Sequence, residues 1–152
     1  MRQGIVVLCA LGALVFPIAA TAGLGAHESA LLGEMNRVRA VHGLAALRSD
    51  AHLQQAAVAH SREMLASNTF AHGAFSSRML QYNVSFAVAG ENLAWGTGPL
   101  ASAHAIVAAW LASPEHRANL LRPSFRRVGV GDLAGTFQGH SGARIVTADF
   151  AG

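Results

Sequence analysis

The only cysteine in the 152 residues, Cys9, lies inside the first apolar run. A lone thiol closes no intrachain disulfide, and Cys₂His₂ or Cys₄ zinc sites are excluded with it. The fold must therefore be held by burial. A chain of this length has room for one domain, which buries roughly two thirds of its unfolded surface and can stand without cross-links. Its composition fits that reading, since 52% is apolar and only 12% charged, which leaves no place for long disordered or highly charged tails.

Residues 1–22 read MRQGIVVLCALGALVFPIAATA: an early Arg2, an apolar run from Ile5 to Ile18, and small residues ending in Ala20-Thr21-Ala22. That order is a secretory signal peptide cleaved after Ala22. An uncleaved anchor is the competing reading, because Ile5 to Ala22 approaches a membrane-spanning length. Pro17 and the A-x-A ending favour cleavage, and Leu8 before Cys9 is too large for a lipoprotein signal. The mature domain is then 23–152, secreted or periplasmic, monomeric, without a membrane span or a cysteine. The formal charge of +3 comes from scattered arginines with no basic run, which argues against a nucleic-acid partner.

Along the mature chain, Leu31, Met35, Val38 and His42 recur at helical steps, and Gly43 stops that helix. Asn36 and Arg39 flank the stripe, either bracing the helix or facing solvent. Ser49-Asp50 caps a second helix carrying Leu53, Ala57, His60 and Met64, where His60 reads as a hydrogen-bonded core residue. Arg78, Met79 and Leu80 suit one short helical turn, Ser85 to Ala89 is β-compatible, and Trp95 to Pro99 reads as a loop. A third helix spans Leu100 to Leu111. Ser113-Pro114 ends it and starts another, with Ser113 as N-cap and Pro114 as the first helical residue. Two antiparallel strands, Arg126 to Leu133 and Ala143 to Phe150, close the chain around a glycine-rich loop, Ala134 to Gly142.

No G-x-S-x-G, H-E-x-x-H or phosphate-loop signature is present. What stands out is polar residues set in apolar sequence: His72, Glu91 and His116. Each also has an ordinary reading, as a loop histidine, a helix-entering glutamate and a first-turn histidine. Close to a helix N-terminus, His116 is disfavoured as imidazolium and should be neutral. Two neutral histidines and a carboxylate would suit zinc or another divalent ion with open water positions, if the fold brought them together.

Five short motifs occur in order: Asn36-x-x-Arg39, Phe70-x-His72, Gly90-Glu91-Asn92-Leu93, Trp110-x-x-Ser113-Pro114-x-His116-Arg117-x-Asn119, and Val128-Gly129-Val130-Gly131. Together they make the chain resemble the bacterial branch of the CAP superfamily, which takes in cysteine-rich secretory proteins, antigen 5 and pathogenesis-related 1 proteins. The resemblance implies an α+β fold, an α-β-α sandwich with a central antiparallel sheet between helical layers. It also implies a cleft in which His72 and His116 face Glu91, the histidines being candidate metal ligands. Where larger relatives carry a further glutamate this chain has Ser113, with Glu115 nearby as a substitute or as a surface carboxylate. Asn92 and Trp95 are expected to be structural, and Arg117 and Asn119 to brace the short helix.

The function implied is a secreted domain whose cleft, formed by His72, Glu91, Ser113, Glu115 and His116, binds a small ligand such as a lipid, or a divalent metal such as zinc, without turnover. The alternative is a metal-assisted extracellular hydrolase of peptides or esters, with Glu91 as the candidate catalytic base. A third reading leaves the polar set as a hydrogen-bonded relic.

Overall fold

A computed structural model describes residues 24–152; the leader expected over 1–22, with Cys9, lies outside them. Five helices and four strands follow in the order α1 (Ala26–Val41), β1 (Arg48–Ser49), α2 (Ala51–Ser67), α3 (Phe75–Gln81), β2 (Ala89–Gly96), α4 (Ala103–Ala112), α5 (Pro114–Leu120), β3 (Arg127–Phe137) and β4 (His140–Ala151). The sheet order is β1-β3-β4-β2. Three strands are antiparallel as expected, and the two-residue β1 joins β3 in parallel, which makes the sheet mixed.

Strand alternation sorts side chains between two helical layers. Val128, Val130, Val146, Ala148 and Phe150 pack against Leu31, Met35 and Val38 of α1 and against Ile106, Val107 and Trp110 of α4. On the opposite face, α2 and α3 cover the sheet through Leu53, Ala56, Met64 and Met79. The α-β-α sandwich follows directly from those two sets.

α2 starts as its sequence predicts, whereas α1 begins at Ala26, behind Gly25 and ahead of the Ser29 from which its stripe is read. Asp50 accepts hydrogen bonds from the backbone N–H groups of His52 and Leu53, and Leu53, Ala57, His60 and Met64 are all buried. In α1 the stripe ends at Val38, because His42 lies beyond the helix, exposed, with Nδ1 2.9 Å from the Val38 carbonyl. The flanking pair braces. Asn36 both donates to and accepts from the Leu47 backbone, while buried Arg39 donates to the carbonyls of Ala45, Leu120, Arg122 and Phe125. One guanidinium thus holds α1 to the segment between α5 and β3 through charge-assisted bonds.

Several expected boundaries move. The stretch Ala134 to Gly142 is mostly strand; β3 and β4 run on to a two-residue tip, Gln138-Gly139, with φ of 47° and 82°. Positive φ at both positions matches the primed hairpin turn that suits twisted strands. Ser85 to Val88 is not strand, and the real strand, β2, begins at Ala89 and takes in Trp95 and Gly96, which read as loop. The helix expected from Leu100 starts at Ala103, after a 3₁₀ turn over Gly98–Ala101.

Candidate functional site

The edge strand β2 carries the Gly90-Glu91-Asn92-Leu93 motif, and each residue has a separate job. Gly90 lets α5 approach, since a Cβ there would lie 2.7 Å from Asn119 Oδ1 and 3.0 Å from Phe125 Cζ. Asn119 Nδ2 donates to the Glu91 carbonyl and to Asn92 Oδ1, and Asn92 Nδ2 donates to the His116 carbonyl at 2.9 Å. Trp110 Nε1 donates to the Leu93 carbonyl. This network seats α5, and with it His116, beside β2. Arg117 adds nothing to it, being exposed on the outer side of α5. Trp95 is half-buried and meets Phe137 edge-on, 5.5 Å between centroids.

Glu91 points to the α2 and α3 side, opposite Asn92. Its Oε1 lies 2.7 Å from His72 Nδ1, its Oε2 takes a hydrogen bond from Arg78 of α3, and His60 Nε2 is 3.8 Å from Oε2. The His72 loop is pinned by His60, whose Nε2–H donates to the Ala71 carbonyl at 2.9 Å. Gly73 follows with φ +58°, the left-handed turn that glycine tolerates. His60 is thus a core histidine, as its position on the stripe suggests, and it shapes the site without entering the cleft. Directly across from Glu91 on β4 stands Asp149, fully buried, 3.8 Å from Arg78 Nη2.

Burial dominates the electrostatics here. It pushes Glu91 up to about 7 against the opposing pull of Arg78, and it raises Asp149 well above the ordinary carboxyl range, assisted by the charge of Glu91. His60 is lowered by burial and then by Arg78. His116 is also lowered, in the direction its place in α5 suggests. The leading cause, however, is burial, followed by the charge of His72, with Glu115 opposing.

Because the folded protein resists protonating His60 and the unfolded chain does not, this residue's contribution to stability declines as pH falls through its ordinary value near 6.5. His60→Gln keeps an amide donor for Ala71 but does not titrate. The stability difference between wild type and His60→Gln should shrink between about pH 8 and about pH 5.5 in urea denaturation. A difference that stays constant would show that the ring does not titrate against burial.

His116 Nδ1 lies 2.9 Å from Ser113 Oγ. Ser113 occupies the N-cap by its backbone, yet its hydroxyl serves His116 and makes no cap bond. Glu115 is exposed in the first turn of α5. The residue that engages the His116 ring is therefore Ser113. When Nδ1–H of His72 donates to Glu91 and Nδ1–H of His116 donates to Ser113, both Nε2 atoms keep a free lone pair. That is how metal-ligating histidines are commonly oriented. Among the described residues no three His, Cys, Asp or Glu side chains form a ligand cluster. A divalent ion taken here would have at most these two imidazoles as protein ligands, with solvent in its other positions.

The sequence reading missed Arg78 and Asp149 as parts of this site. Arg78 lay unmarked in a predicted turn. Asp149 alternates on one face with Ile145 and Thr147, and a charged residue on a buried face was the available signal.

Residues 32–149 match the family described as "CAP: Cysteine-rich secretory protein family". Two proteins of Bacillus subtilis are similar in sequence: YkwD, 33% identical over 117 residues, and the membrane protein YlbC, 36% identical over 111. The alignments take in 74% and 68% of this chain but 44% and 31% of those proteins, so the chain spans less than half the length of either. Among solved structures, an extracellular protein containing an SCP domain from Bacillus anthracis superposes with a TM-score of 0.70 at 28% identity, covering 82% of this chain and 40% of that one. An outer surface protein from Borrelia burgdorferi gives 0.67 at 25% identity, covering 79% and 87%.

Proposed function

Because this chain belongs to the CAP, or cysteine-rich secretory protein, family, we propose that it is an exported domain that binds a divalent cation such as zinc at His72 and His116, without turnover. The observation that carries this reading is the pair of engaged Nδ1 atoms, at Glu91 and Ser113, which leaves both Nε2 atoms free to ligate. A cation held by His72 and His116 would supply Lewis acidity there. Export is supported by the signal-like residues 1–22 and by relatives named as extracellular or outer-surface proteins. No helix among the described residues is long and apolar enough to cross a membrane.

Hydrolysis with Glu91 as base fits less well. The residue is 7% exposed and both carboxylate oxygens are engaged, by His72 and Arg78, so it does not present itself to a water in the cleft. A small amphiphilic ligand has one observation in its favour. A hollow of about 460 Å³ along α5 is floored by Pro114, Ala118, Leu121 and Pro123 and flanked by Arg117 and Arg122, which suits an apolar tail with an anionic head such as a lipid. Mass spectrometry of the secreted protein after solvent extraction would find such a ligand if it is carried.

For the cation, calorimetric titration of the purified protein with zinc should show one site. His72→Ala and His116→Ala should each weaken it by at least ~10-fold, and Ser113→Ala by roughly 10-fold, as for loss of a supporting hydrogen bond. Negligible heat with wild type overturns the proposal.

A further inference from the structure

Asp149 is the buried carboxyl that the cleft reading leaves unused. It is paired in register with Glu91 on β2 and with Gly129 on β3, and its side chain has no solvent exposure. No N–H group and no hydroxyl among the described residues hydrogen-bonds either of its oxygens, Arg78 Nη2 staying 3.8 Å away. The titratable or charged groups that act on it are Glu91 from β2, Arg78 from α3 and His72 from the loop after α2, with His60 of α2 beside Glu91, while β3 offers only Gly129.

Two carboxylates and one guanidinium shut away from water would leave one negative charge unpaired, and an uncompensated buried charge is costly. A single proton shared between the carboxyls removes that cost and makes a short O–H···O⁻ hydrogen bond. Its location follows from the partners. Glu91 already receives hydrogen bonds from Arg78 and His72, which favour its ionised form, whereas Asp149 receives none.

We propose that Asp149 is a positioning residue of this site: held as the neutral acid beneath Glu91, it donates a hydrogen bond that fixes the Glu91 carboxylate against His72 Nδ1. Arg78 and Asp149 then clamp Glu91 from below, and Glu91 fixes the ring that turns its Nε2 to the cleft. Burial and the neighbouring charge of Glu91, both of which raise Asp149, agree with a retained proton. The proposal takes its importance from the cleft reading, but it concerns the protein with no metal added.

Carbon-13 NMR of the side-chain carboxyls and nitrogen-15 NMR of the histidine rings, on full-length protein without metal near neutral pH, test it directly. Wild type should show Asp149 as a carboxylic acid and His72 almost wholly as the Nδ1–H tautomer. Asp149→Asn keeps a donor in the same place and should preserve that tautomer and the zinc affinity. Asp149→Leu removes the donor, and should release His72 to the mixed tautomers of a free imidazole and weaken zinc by roughly 10-fold. An ionised Asp149 in wild type overturns the proposal, as does an unchanged His72 tautomer in folded Asp149→Leu or a lost one in Asp149→Asn. If Asp149→Leu does not fold, the wild-type and asparagine spectra still decide. Absence of zinc binding by wild type would remove the cation reading and leave these spectra, and the proposal, standing.

Discussion

Gly129→Ala is expected to leave little or no folded protein. A Cβ at this position would lie 2.0 Å from the Leu53 carbonyl carbon and 2.2 Å from its oxygen, and those are backbone atoms that no rotamer change can move aside. Relief requires α2 to shift away from β3, and α2 is fixed there. Gln54 bonds both the N–H and the carbonyl of Val130, at 2.8 and 2.6 Å, filling the place of a neighbouring strand beyond the short β1. Gly131 makes the same approach one turn later, against the Ala57 carbonyl at 2.3 Å. The Val128-Gly129-Val130-Gly131 motif is thus a surface of alternate faces, valines buried under α1 and α4, glycines flush against the α2 backbone. Overpacking that must displace a helix costs more than the usual 1–3 kcal/mol; about 4 kcal/mol or more is expected, a large share of the roughly 5–15 kcal/mol of a domain this size. Gly33→Ala is the control, since an alanine there on exposed α1 meets nothing within 4 Å and should stabilise by up to about 1 kcal/mol. Thermal melts followed by circular dichroism separate the two, and an unchanged midpoint for Gly129→Ala would show that α2 does not rest on this strand.

That helix-on-glycine contact also shows what the sequence could and could not disclose. α1 and α2 were legible because their stripes repeat at helical spacing and because Asp50 is an N-cap residue whose role is local. Ser113-Pro114 was legible for the same reason. β2 was not, since Ala-Gly-Glu-Asn-Leu-Ala-Trp-Gly has neither β-branched residues nor apolar alternation. It is a strand because β4 pairs with it along its whole length and because Glu91 and Asn92, on opposite faces, each find buried partners. The glycine-rich stretch after Leu133 misleads in the same way: glycine weakens a strand on its own, but a long antiparallel pairing carries it. In the site, His72, Glu91 and His116 were conspicuous as polar residues in apolar sequence. Arg78 was not, and Asp149 showed only as a charge on an otherwise buried strand face, because what joins them to the site is the cross-strand register that sets positions 91 and 149 side by side.

Arg78→Met is the second effect expected, and its size depends on pH. The side chain is 8% exposed and reaches both Glu91 and Asp149. Methionine keeps much of the apolar stem beneath the Phe75 ring, over which the guanidinium now lies, but it removes the one cation that compensates the pair. Breaking a buried ion pair from one side costs about 3–5 kcal/mol, because a charge stays behind unpaired. Here the remaining carboxyls can escape by holding protons. Burial already pushes Glu91 up to about 7 with Arg78 present, and Arg78 acts to lower it, so its loss raises both carboxyls further. A carboxyl whose folded value lies above its unfolded value costs nothing while both states are protonated. The cost grows as pH rises past about 4.5 and the unfolded chain ionises first. The unfolded chain is common to both proteins, so the gap between wild type and Arg78→Met in urea denaturation should stay small from about pH 4.5 to about pH 6 and open as pH passes through the wild-type folded value of about 7, reaching roughly 1–2 kcal/mol near pH 8. An equal loss at both ends of that range would assign the role of Arg78 to packing on Phe75, and would mean that the two carboxyls do not depend on its charge.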